Sequence, residues 1–163
     1  MAKSETKYPD NFTIQIPDDY LIAIGKVRVQ WGTLETVVDL AIAKLGGFRS
    51  FDPRAMIITA HMTWPLKMDI MRSLITALRE DQAYAHLARF DEIKPMLKSA
   101  QDGRNKCVHG QWGYEKGNVS KLRTTARGRL KASIDTITVA NINEAADDIG
   151  RAGAAIIKLI LNK

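Results

Sequence analysis

The sequence predicts an all-α fold: a bundle of four or five helices with a small β-hairpin inserted before the last helix. Three observations lead there. Apolar residues recur at alternating spacings of three and four over most of the chain from Asp18 onward. That period gives way to two only between Gln111 and Val139, and then returns. At 163 residues, 45% hydrophobic and 26% charged, the chain has the size and balance of one domain with a substantial core. The expected organisation is a mobile N-terminal arm over 1–16 and a single helical domain over 17–163, with no internal repeat.

The arm is polar and aperiodic apart from a short extended piece at Phe12 to Ile16. Pro17-Asp18-Asp19 supplies a helix start with acids in the first turn. Tyr20, Ile24, Val27, Trp31, Leu34, Val38, Ala41 and Leu45 then form one apolar stripe, closed by Gly46-Gly47. Val37 and Leu40 widen that stripe, so this helix is expected at the centre with neighbours on more than one side. Glu35 lies beside Trp31 and Val38, where a buried carboxylate requires a basic partner and an exposed one does not. Asp52-Pro53 reads as an N-cap and first-turn proline for a short helix through Ala60. Pro65 restarts the chain, and Leu66, Ile70, Met71, Leu74 and Leu78 are expected to face inward on the next helix.

Gln82 to Arg89 reads as a further short helix. Phe90, Ile93, Leu97, Ala100, Arg104 and Cys107 follow at spacings of three and four, with Pro95 expected in the first turn of that helix. Two strands are then expected to flank Lys116-Gly117-Asn118, with a third alternating stretch around Leu130 to Ile134. Asn141 and Glu144 resemble a capping box opening the final helix, whose Gly150 and Gly153 permit close helix approach.

Composition narrows the function. The single Cys107 excludes an intramolecular disulfide and a cysteine-rich zinc cluster, and no apolar stretch has membrane-spanning length. A cytoplasmic protein without a membrane partner is expected. His61 and His86 stand apart among apolar residues with no carboxylate at ligand spacing, so neither a metal site nor another cofactor is expected. The net charge of +6 is concentrated: Lys116, Lys121, Arg123, Arg127, Arg129 and Lys131 fall in one stretch without an acid. Such a field favours nucleic acid, and Lys121, Arg123, Arg127, Arg129 and Lys131 are the candidate phosphate contacts. The alternative is a solvated hairpin whose charge protects an edge from aggregation.

The densest chemistry lies at Arg104-Asn105-Lys106-Cys107-Val108-His109-Gly110, at the end of a helix. Asn105 and His109 are one turn apart, and Arg104 occupies a stripe position that would otherwise be apolar. A guanidinium there is costly unless it is paired or lines a cleft. RNA cleavage needs a base, an acid and a cation for the developing phosphate charge, since the ribose hydroxyl is itself the nucleophile. His109 and Arg104 suit these tasks, with Asn105 orienting them. A second proton-transfer group would come from a twofold homodimer, because an isologous interface doubles every group near its axis. The competing readings are that Arg104 pairs with an acid such as Glu35, or that Arg104 and His109 only stitch the bundle together.

Arg-Asn-x-x-x-His followed by a small residue and Trp112 resembles the Arg-x(4–6)-His motif of the HEPN family of small all-helical domains. The segment Met62 to Asp69 is similar to the second-helix entry of such proteins. The resemblance implies a metal-independent endoribonuclease whose two protomers share one composite site and leave a cyclic phosphate end. It implies catalytic roles for Arg104, Asn105 and His109, with Glu35 behind them, and a toxin–antitoxin or phage-defence setting with a protein antitoxin as partner. Its alternative is a non-catalytic helical dimer that binds a protein or a nucleotide.

Overall fold

The structure, a computed structural model, describes residues 16–109, 111–115, 118–127 and 129–161, without side-chain placement at 115, 118, 123–127 and 129–133. The arm expected over 1–16 therefore lies outside the described residues apart from Ile16, as do Lys116 and Gly117 of the expected turn. The helices are α1 (Asp18–Leu45), α2 (Pro53–Ala60), α3 (Trp64–Leu78), α4 (Phe90–Val108) and α5 (Val139–Ile156). A 3-10 segment, Gln82–Arg89, leads into α4, and a π-helical turn, Ile157–Leu161, continues α5. Between α4 and α5 lie β1 (Gln111–Glu115), β2 (Asn118–Arg127) and β3 (Arg129–Thr136), an antiparallel sheet in the order β1-β2-β3. The fold is a helical bundle with a small β insertion, and the insertion is a three-stranded meander rather than a lone hairpin.

The bundle is organised around α1. Val27, Val38 and Ala41 on it are fully buried, as are Ile142, Ile149 and Ile156 of α5, Ala100 of α4 and Met71 of α3. Each large aliphatic side chain so buried stabilises the fold by about 1.5–3 kcal/mol before ordering costs are counted. Helix α5 runs parallel to α1: Lys26 meets Asn143 near one end, and the Lys44 ammonium donates to the Leu161 carbonyl at 2.9 Å near the other. Glycines permit the approach. A Cβ on Gly150 would stand 3.4 Å from the Gln30 amide oxygen, and one on Gly103 of α4 would stand 3.1 Å from the Ala145 Cβ of α5. Helix α4 is antiparallel to α5, with Ser99 near Asp148 and Gly103 near Ala145. These contacts carry the C-terminal end of α4 to the N-terminal ends of both α1 and α5.

Helix boundaries follow local chemistry. Gly47, with φ +76°, takes the left-handed conformation that ends α1, while the Phe48 N–H donates to the Ala43 carbonyl. Asp52 caps α2 by accepting from the Arg54 N–H at 2.9 Å, and Pro53 occupies its first turn. The last helix begins one turn before the expected point: Thr138 is the N-cap and forms a reciprocal capping box with Asn141. The box uses Asn141 at its third position, not at its cap, so Glu144 has no part in it. Pro95 also sits deeper than expected, inside α4 and not in its first turn, which leaves the Asp91 carbonyl without its usual helical donor.

Helix α3 is rotated from the expected phase. Leu66 is exposed, and the buried positions are Trp64, Lys67, Met71 and Ile75. Lys67 is buried because its ammonium meets the Asp39 carboxylate of α1, 2.6 Å from Oδ1 and 2.9 Å from Oδ2. Trp64 packs on Trp31 with ring centroids 4.5 Å apart. These two contacts fix α3 on α1 and set which face turns inward. Among the described residues, no helix is long and apolar enough to cross a membrane.

Candidate functional site

Arg104 occupies the buried stripe of α4 one turn beyond Ala100 and one turn before Cys107, as its spacing predicts. Its side chain is half-buried. The guanidinium carbon lies 5.4 Å from the centre of the Trp31 ring, whose negative π face attracts the cation. The Arg104 Nη1 donates to Asn105 Oδ1 at 3.1 Å and stands 2.5 Å from His109 Nε2. A guanidinium can only donate, so in this contact Nε2 accepts and the ring proton resides on Nδ1. The Arg104 Nε is buried and has no hydrogen-bond partner, a local cost that the Trp31 contact offsets in part.

His109 is the C-cap of α4. Its N–H donates to the Asn105 carbonyl at 3.2 Å while its backbone turns extended, with φ −100° and ψ 131°. That break swings the imidazole out of the helical series, and it reaches back to Arg104 instead of stacking over Asn105. The three expected site residues thus come together, with His109 exposed and Arg104 and Asn105 half-buried. The cluster provides a proton-transfer group, a permanent cation and an orienting amide at one accessible helix end.

Two expectations need correction. Glu35 is half-buried but makes no ion pair with Arg104; the ring of Trp31, on the same helix, is what holds the guanidinium. Glu35 is therefore not a support of this site within one chain. Lys121 is fully buried and does not belong to an exposed phosphate-binding row. Its ammonium donates to the Lys106 carbonyl and lies 5.3 Å from the centre of the Trp112 ring. A cation on one of the last carbonyls of α4 complements the negative end of the helix dipole and ties the sheet to the turn that presents His109. The parity of β2 carried the signal, since Lys121 shares a strand face with Val119, which is also buried. Arg123 and Arg127 lie on β2 and Arg129 and Lys131 on β3, with Arg127 paired to Arg129; their side chains fall outside the described part.

Cys107 is buried beneath the cluster, and burial raises its thiol pKa although Lys121 and Lys106 oppose the shift. An inert thiol results. His61 is exposed in the link between α2 and α3 and His86 is half-buried in the 3-10 segment, so neither joins the cluster. Among the described residues no three histidine, cysteine, aspartate or glutamate side chains converge to hold a metal ion.

Two clefts flank α4, and neither contains His109. The larger, about 860 Å³, lies between α4, the end of β3 and α5 and is lined by Asp102, Asp135, Glu144 and Asp148 against Lys98 and Lys106. Its excess of carboxylates opposes a polyanion, so the exposed end of α4 is the better RNA-facing surface despite its lack of depth. The smaller, about 400 Å³, runs between α3 and α4 over Trp64, Phe90 and Leu97. Comparison with protein-family models, with curated proteins and with solved structures finds no match to this chain.

Proposed function

We propose that the protein is a metal-independent endoribonuclease acting through a composite site at a homodimer interface. The observation that carries this reading is the convergence of Arg104, Asn105 and His109 at the exposed end of α4, with Nη1 2.5 Å from the imidazole Nε2. In cleavage, an RNA phosphate would draw the guanidinium toward its oxygens and free Nε2 to take the proton of the ribose 2′-hydroxyl. The second copy's imidazole would protonate the departing 5′-oxygen. The bonds balance: O2′–P forms, P–O5′ breaks, and the products are a 2′,3′-cyclic phosphate and a free 5′-hydroxyl. Asn105 holds Arg104 in place between the two tasks. The resemblance to HEPN domains supports the same roles and a toxin–antitoxin or phage-defence setting.

A second reading is favoured by one observation: Arg104 is already engaged by Trp31, Asn105 and His109 within one chain. On that reading the cluster is a structural clasp in a non-catalytic dimer that binds a protein or nucleotide. One experiment separates the two. Purified protein, with chelator present, is expected to cut a varied single-stranded RNA pool to cyclic-phosphate ends, and His109→Ala is expected to abolish cutting while shifting the thermal midpoint by no more than a few degrees. A clasp would instead lose about 1–3 kcal/mol on the same change, for the polar group left unsatisfied, with no cleavage in either protein.

A further inference from the structure

We infer that the outer face of α1 is the surface on which two copies of this chain associate, antiparallel, about a twofold axis at the level of Gln30 and Trp31. Opposite the core stripe, Ile22, Gly25, Val29, Gly32 and Thr36 follow spacings of three, four, three and four. This is the seam of a seven-residue repeat, on a helix whose other side already fills the core. Ile22 is 64% exposed and Val29 68%, with Leu21 beside them at 51%. A Cβ on Gly25 or Gly32 would meet nothing within 4 Å. Within one chain, then, two glycines weaken the middle of a long helix by about 1 kcal/mol each relative to alanine, with no contact to explain them. A second copy explains them as notches.

The hydroxyls of Thr33 and Thr36 donate back to the carbonyls of Val29 and Gly32, at 3.2 and 3.0 Å, so these donors are already satisfied on the exposed face. Charge selects the occupant and its register. With the axis between Gln30 and Trp31, Val29 enters the notch at the partner's Gly32, Thr36 lies at the partner's Gly25, and Arg28 comes beside the partner's Glu35. Arg28 and Glu35 make no ion pair within the described chain. Seven residues and about 10.5 Å of helix rise separate them, too far to pair with each other. The neighbouring register, which puts Val29 on the partner's Gly25, would bring Arg28 near the partner's Arg28 and Lys26 near the partner's Lys26, and is opposed by repulsion.

As the missing half of the composite site, this dimer rests on the reading above. Trp31 supports Arg104, so an axis at the level of Trp31 sets both Arg104–His109 clusters beside the same twofold. The seam also gives Glu35 a basic partner, on the second chain.

The test is a charge-swap cycle on the full chain, read by sedimentation over about 1–100 µM. The wild type is expected to be dimeric in that range. Arg28→Glu and Glu35→Arg should each raise the dissociation constant about tenfold or more, since symmetry doubles each like-charge contact, and the double swap should return it to within about threefold of wild type. Helix content by circular dichroism checks that each variant folds; where one does not, Val29→Asp on the open face takes its place and should also give monomer. A wild-type monomer, a dimer that neither swap weakens, or a double swap as weak as the singles would overturn the inference. Cleavage that persists in variants dimerising through another face would sink this surface and spare the nuclease, whereas a confirmed seam with intact RNA would do the reverse.

Discussion

Arg104 shows how one residue can break a local rule and reveal a site. An apolar side chain there would extend the α4 stripe at no electrostatic cost, yet the chain keeps a guanidinium whose Nε is buried without a partner. The spacing of the stripe made Arg104 legible from the sequence, and Asn105 and His109 with it. Its partner was not legible, because an ion pair with Glu35 and a contact with the Trp31 ring satisfy the same sequence pattern. Lys67 and Lys121 escaped for a related reason: a buried lysine is rare and depends on a carboxylate or carbonyl supplied by a distant segment. A further residue-level prediction concerns Asp52, whose carboxyl pKa the Arg54 guanidinium and backbone N–H lower to about 2. The folded pKa lies below the ordinary carboxyl value, so the stabilisation from Asp52 is complete above about pH 4 and is lost as pH falls toward 2. Carbon-detected NMR should show Asp52 titrating near the bottom of that window; titration at the usual value near 4 would mean that the cap and ion pair are absent in solution.

At the scale of elements, hydrophobic period and end signals recovered the order and most boundaries, since α1, α2 and the 3-10 segment each carry their own caps or breakers. The misses occur where a neighbour decides. Leu66 lost its inward place because the Trp64–Trp31 contact and the Lys67–Asp39 pair set the rotation of α3. The start of α5 moved to Thr138 because a threonine and an asparagine can complete the box that a search for glutamate at the third position overlooks. The α4–α5 approach yields a prediction with opposing terms. Gly103→Ala gains about 1 kcal/mol of helix propensity. It also places a Cβ 3.1 Å from the Ala145 Cβ, which cannot yield unless α5 moves. Overpacking of this kind costs about 1–3 kcal/mol, so a net loss of about 1 kcal/mol is expected in urea unfolding. A gain in stability would show that the two helices have room between them.

For the whole molecule, the central claim is that two imidazoles and two guanidiniums act in one place. The packing of α4 antiparallel to α5 and of α5 parallel to α1 brings the cluster to the same end of the bundle as the exposed half of α1, the arrangement a shared site requires. The β insertion is tied to this end through Lys121 and Val119, and its strands carry the remaining cations of the basic segment. The most direct measurement is a mixing series. Wild type and His109→Ala are unfolded together, refolded at varied ratios and constant total concentration, and assayed for RNA cleavage in chelator. If both imidazoles serve one site, a mixed dimer is inactive, and the rate falls with the square of the wild-type fraction. A rate that falls linearly with that fraction, or no cleavage even in undiluted wild type, would contradict the account.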